Sequence, residues 1–78
     1  MNLPVGIRVV MSSVGKEEYP ERIDNPHSVI GVIEDDYDCE AGTTDWRYGV
    51  LWDNGGTNDY RGMDITPVIT GKSLEDYI

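Results

Sequence analysis

Cysteine and histidine are nearly missing from this chain. Cys39 is the one cysteine and His27 the one histidine among 78 residues, so no internal disulfide can form and no Cys/His metal framework can be assembled. That points to a reducing compartment. Basic residues are scarce as well, with 6 Lys and Arg against 15 Asp and Glu and a formal charge of -9. A surface this acidic repels phosphate backbones and anionic lipid heads, whose binders neutralise negative charge with Lys and Arg. Direct nucleic-acid binding and membrane-surface binding are therefore not expected. Long apolar runs are absent too: the opening MNLPVGIRVVMSSVG has no basic leader, and its longest apolar run is Val9–Met11. Neither a signal peptide nor a membrane span is predicted, and the expected location is cytoplasmic, the host cytoplasm if the chain is viral.

What the chain does have is 2 Trp, 5 Tyr and several short Val/Ile clusters, more than a solvated acidic tail carries. A folded small domain with acidic loops follows. No segment keeps a 3.6-residue apolar period long enough for an amphipathic helix, and Gly or Pro interrupts at short intervals, so the elements read as strands and turns. Strand one is Ile7 to Met11. The stretch Ser12 to Ser28, with Gly15, Pro20 and Pro26, reads as a long polar loop. Strand two is Val29 to Glu34, where Gly31 suggests a bulge or a close backbone approach. Asp35 to Thr44 is an acidic excursion. Strand three, Trp46 to Trp52, puts Trp46, Tyr48, Val50 and Trp52 on one face. Asn54-Gly55 then predicts a two-residue type I′ hairpin into strand four, Thr57 to Tyr60. Arg61-Gly62-Met63 resembles a 3₁₀ turn, and Ile65 to Ile69 forms strand five, at an edge because Pro67 has no N–H.

These elements predict an all-β fold: a small five-stranded antiparallel SH3-like barrel, closed or nearly so, with a short 3₁₀ turn before the last strand. Residues 1–70 form the single domain and 71–78 a C-terminal tail. The expected core is Ile7, Val9, Val29, Ile33, Val50, Trp52, Ile65 and Val68, and an expected radius of gyration is about 11–12 Å.

Tyr48 through Arg61, YGVLWDNGGTNDYR, resembles the second half of the Mind bomb/Herc domain, whose signature is V-x-W-D-N-G followed by a small residue, Asn and Tyr-Arg. Gly6-Ile7-Arg8-Val9-Val10 is similar to that family's opening G-x-R-V-V, Gly31-Val32-Ile33 to its G-T-V strand, and Asp64-Ile65 with Pro67-Val68 to its closing D-L-x-x-V. The hairpin also resembles those of small bacterial and phage proteins. What the resemblance implies is an SH3-like protein-recognition barrel. The family's W-x-W-G-x-Q-D-G loop has no counterpart in Ser12 to Ser28, so its peptide partners do not carry over.

Candidate chemistry concentrates in two places. Glu34-Asp35-Asp36-Tyr37-Asp38-Cys39-Glu40 holds five acids, yet it fails as a calcium loop, since Ala41 stands where Gly is needed and Arg47 where Glu is. No metal or cofactor is expected there, and a charge run of this kind is a solvated loop by default. No nucleophile–base spacing surrounds His27 and no phosphate-cradling loop is present, so an enzyme is not expected. Aromatic groups are the stronger candidates: Trp46, Tyr48, Tyr60 and Tyr37 at a barrel rim, with Arg61 beside them and Asp35, Asp36 and Asp38 from the acidic loop. Arg8, Arg47 and Arg61 are placed to hold that loop down. The expected function is a non-enzymatic module binding a peptide or protein surface, expected to be basic in charge, through rim aromatics and acidic loops. The alternative is an acidic DNA mimic, of the phage type, that occupies the groove of a host nucleic-acid enzyme.

Overall fold

The computed structural model describes residues 3–37 and 47–69. Along the chain these form β1 Arg8–Met11, α1 Ser13–Glu18, β2 Gly31–Asp36, β3 Tyr48–Trp52, β4 Thr57–Tyr60, a 3₁₀ turn Gly62–Asp64 and β5 Ile65–Pro67. Every ladder is antiparallel, in the order β4-β3-β2-β1-β5. The first four strands are a meander, and the 3₁₀ turn returns the chain to the far side of β1. This is the five-stranded, barrel-like architecture that the sequence predicts. Its departure is at the seam, because no ladder joins β4 to β5 among the described residues and the barrel stays open. The radius of gyration is 11.5 Å, within the expected range.

Strand alternation builds the core. Val9 and Met11 from β1, Ile33 from β2, Tyr48, Val50 and Trp52 from β3, Tyr60 from β4 and Ile65 from β5 are buried together, with Leu3 plugging one end. Ile7 and Val29 pack against this cluster from its margin, and Val68 is partly buried. Gly31 has no room for a side chain: a Cβ there would stand 2.6 Å from Cε3 of Trp52. The close approach expected at Gly31 is therefore present, while the bulge lies further on, between Ile33 and Asp35.

Pro67 sits as its chemistry demands. The Val68 N–H donates to the Arg8 carbonyl at 2.9 Å and Pro67 stands opposite Val9, so alternation leaves the proline nitrogen facing away from β1 on the edge strand. The hairpin differs from the two-residue form. The Gly55 N–H donates to the Trp52 carbonyl at 2.9 Å, and the Trp52 N–H to the Gly56 carbonyl at 2.8 Å. The loop is thus Asp53-Asn54-Gly55, with only Gly55 in the left-handed region (φ 90°), the three-residue alternative to a type I′ turn.

The larger correction is α1, which lies inside the stretch expected to be a loop. Ser12 caps it, accepting the Gly15 N–H at 3.1 Å through Oγ, and the Ser12 hydroxyl donates to the Met63 carbonyl at 2.6 Å. The Ser12 N–H reaches the Asp64 carbonyl at 2.9 Å. A helix of 6 residues is far too short to stand alone, so these bonds to the 3₁₀ turn hold it, and no apolar stripe announces it in the sequence. Gly15 is the point of contact, where an added Cβ would strike the Asp64 carbonyl oxygen and the Met11 sulfur. Gly→Ala in a helix ordinarily stabilises by about 0.4–1 kcal/mol. Gly15→Ala is expected to have the opposite sign, a loss of about 1–3 kcal/mol from overpacking, read as a lower urea midpoint.

Candidate functional site

Two of the aromatic residues expected at a rim are inside. Tyr48 is 1% exposed and Tyr60 0%, because the face of β3 that carries Val50 and Trp52 is the core face and Tyr60 pairs directly with Tyr48 across the ladder. Their hydroxyls are used internally. The Tyr48 oxygen accepts the Leu3 N–H at 3.1 Å. The Tyr60 oxygen accepts from Trp52 Nε1 at 3.1 Å, and its proton faces the Asp24 carbonyl at 2.6 Å and Asn25 Oδ1 at 2.7 Å. Asn58 Nδ2 donates to the same Asn25 oxygen at 2.8 Å, so the long loop is pinned over the end of the core. Trp46 and Asp38 lie outside the described residues.

Arg61 is likewise structural. Its guanidinium grips the fully buried Asp64 carboxylate at 2.8 and 3.0 Å, and Tyr19 donates its hydroxyl to the same group at 2.8 Å. The bond to Asp64 raises the guanidinium pKa further above its ordinary value. Arg47 pairs with Asp36 at 2.6 Å and lies over the Tyr48 ring, 5.2 Å from its centre. Of the pairings expected to restrain the acidic segment, that one is present. Arg8 instead meets Asp53 at 3.5 Å, an exposed contact. His27 donates Nε2–H to the Tyr19 carbonyl at 2.8 Å, and its backbone N–H reaches Glu21 at 3.4 Å, both bonds within the loop.

The arrangement left open to solvent is on the outer face of β2, β3 and β4. A groove of about 310 Å³ lies there, walled by Glu34 and Asp35 on one side and Thr57 and Asp59 on the other, with Gly49 as its floor. The β2 bulge explains why two consecutive acids share this face, since unbroken alternation would send Glu34 and Asp35 to opposite sides. Tyr37 lies across the groove. Its backbone N–H is held by the Arg47 carbonyl at 2.8 Å, and its hydroxyl donates to Asp59 Oδ1 at 3.1 Å. That bond, and then partial desolvation, raises the phenol's pKa. Gly49 makes the crossing possible, because a Cβ there would stand 2.9 Å from the Tyr37 oxygen.

Among the described residues, no ion pair involves Glu34, Asp35 or Asp59, and no Lys or Arg lines the groove. The four arginines pair elsewhere, with Asp53, Asp24, Asp36 and Asp64. No group of three His, Cys, Asp or Glu among the described residues has the spacing to hold a metal ion. Such a groove presents uncompensated negative charge, a hydrogen-bond acceptor row and an aromatic face. Sequence reasoning named Tyr37 and Asp35 but missed Asp59, Glu34 and Gly49. For Asp59 the signal was available: once Tyr60 is inside, its neighbour must face out.

No protein-family model matches the chain, and no curated protein matches it. Among solved structures, the NMR structure of Bacillus subtilis protein YorP is similar, with a TM-score of 0.67 at 20% identity, covering 91% of this chain and 75% of that one. At that identity the likeness is one of fold. No helix among the described residues is long and apolar enough to cross a membrane.

The Tyr60 node generates a pH prediction. Burial pushes its phenol up to about 12, against the smaller opposing effect of the Trp52 hydrogen bond. The unfolded phenol ionises near 10, so the native state resists ionisation while the unfolded state does not. Stability is therefore full below pH ~10 and falls as pH rises from ~10 to ~12. Tyr60→Phe is expected to lower stability at neutral pH by about 1–3 kcal/mol and to flatten that alkaline slope, both read from urea unfolding across pH.

Proposed function

We propose that this chain is a non-enzymatic binding module that takes an extended basic segment of a peptide or protein into the groove over Gly49. The observation that carries the reading is the groove itself: three carboxylates on an open sheet face, crossed by the Tyr37 ring, with the arginines engaged elsewhere. A Lys or Arg side chain entering it meets Asp35 or Asp59 as an ion-pair partner and the half-exposed Tyr37 ring as an apolar or cation–π surface. The formal charge of -9 adds long-range attraction that salt weakens, with a Debye length of about 8 Å at 0.15 M.

The hairpin's resemblance to the Mind bomb/Herc domain supports protein recognition over catalysis, and the barrel-like fold is one on which many peptide-binding sites are built. The site is narrower than the sequence alone predicts. Tyr37 and Asp35 remain, Glu34, Asp59 and Gly49 join them, and Tyr48, Tyr60, Asp36 and Arg61 leave because the fold uses them.

Calorimetric titration with Lys/Arg-rich and with acidic peptides tests the reading. Basic peptides are expected to bind with an affinity that falls as salt rises. The double variant Asp35→Asn with Asp59→Asn is expected to weaken that binding about three- to tenfold at low salt, in line with partly exposed ion pairs, without moving the unfolding midpoint by much. Equal binding of acidic peptides, or an affinity indifferent to both substitutions, would sink the proposal. A protein partner displaced by duplex DNA would favour the DNA-mimic alternative.

A further inference from the structure

Asn54-Gly55 is the feature of the hairpin that neither the core nor the groove uses. Both residues are exposed, and the Asn54 side chain is bonded at both ends. Its Nδ2 donates to the Ile23 carbonyl at 3.1 Å, across to the tip of the long loop, and its Oδ1 accepts the Gly56 N–H at 2.9 Å. The loop tip is a tight turn, with Arg22 and Asn25 exchanging backbone bonds at 3.2 and 3.0 Å. Asn54 is thus a clasp between the hairpin and that turn.

We propose that Asn54 is a deamidation site that the fold holds latent, and that its conversion opens the clasp. In a chain free to move, the Gly55 nitrogen loses its proton and attacks Asn54 Cγ. The bond from Cγ to the amide nitrogen breaks, ammonia leaves and a succinimide closes. Water then opens the ring to aspartate or isoaspartate, so one water is consumed, one ammonia is released and nothing is oxidised. Glycine at the next position leaves the approach unhindered, which makes this pair intrinsically labile. In the folded chain three bonds oppose the attack. The carboxamide is fixed at both ends, and the Gly55 N–H is directed at the Trp52 carbonyl at 2.9 Å, away from Cγ.

Conversion removes the donor that faces Ile23. A carboxylate oxygen then meets a carbonyl oxygen, two acceptors with no proton between them, and isoaspartate also lengthens the turn's backbone. The Ile23 end of the loop is released, while Asn25 keeps its bonds to Tyr60 and Asn58.

The test uses the full chain in mildly alkaline buffer, folded and in urea, with the amide-to-acid mass gain followed over time and located by peptide mapping. Deamidation at Asn54 is expected to run at least about tenfold slower in the folded chain, since the attack must wait for local opening. A folded rate equal to the rate in urea would overturn the latency. In parallel, Asn54→Asp and Asn54→Ala are compared by amide hydrogen exchange. Both are expected to lose protection at the Asn25 amide, several-fold or more, with the Val50 and Ile33 amides unchanged. Full protection of Asn25 in both variants would overturn the clasp.

Discussion

The buried hydroxyl of Tyr60 is the point on which the rest of this structure turns. The chain has no phenylalanine, so every ring in its core is Tyr or Trp and brings a polar atom inside with it. Each such atom needs a partner, or its burial costs on the order of 1–3 kcal/mol. At Tyr60 the partners are Trp52, Asn25 and the Asp24 carbonyl, which join β3, β4 and the long loop at one oxygen. Edge-to-face contacts of the Tyr60 ring with Trp52 and Tyr19, at 5.6 and 5.7 Å, tie the same elements through their apolar surfaces. Tyr19 of this loop touches both sides of the open seam, its ring against Tyr60 of β4 and its hydroxyl on Asp64 just ahead of β5.

Asp64 does for the other end what Tyr60 does here. A carboxylate with no exposure is stable only when paired and hydrogen-bonded on all sides, and Arg61, Tyr19 and the Arg61 N–H supply that. Its backbone carbonyl meanwhile receives the Ser12 N–H, so one residue sets both the start of α1 and the passage of the chain into β5. The long stretch between β1 and β2 is therefore fastened at its beginning by Asp64 and at its tip by Tyr60, Asn58 and Asn54.

These fastenings shape where negative charge can act. Arginine is the scarce resource in a chain with 15 acids, and its placement decides which carboxylates are neutralised. Asp64 and Asp36 receive close pairs, while Asp53 and Asp24 have the longer, more exposed ones. Glu34, Asp35 and Asp59 have no such partner among the described residues, and the β2 bulge and Gly49 bring them to one groove. The charge first noticed as a global excess thus gains a location on the sheet as well as in the loops.

Strand periods, the Pro67 edge, the 3₁₀ turn and a core of Val9, Ile33, Val50, Trp52 and Ile65 were all readable from residue order, because alternation and backbone chemistry are local. The hairpin was readable as a place, not as a type: Asn-Gly marks it, but the ladder on either side decides how many residues the loop holds. The helix and the placing of Tyr60 were less legible. α1 owes its existence to bonds from Ser12, and to the close contact of Gly15, with a turn some fifty residues away, and no apolar stripe distinguishes it from a loop. The inward face of Tyr48 was within reach, since it shares a strand face with Val50 and Trp52, whereas Tyr60 turns inward, and Asp59 outward, through a cross-strand register with Tyr48 that only the ladder shows. The amino-acid order determined which residues alternate, where the chain bends and how much charge it carries. Only tertiary contact decided that Tyr60 lies inside, which acids keep their charge unpaired and which loop is tied down, since each of those depends on partners distant in sequence.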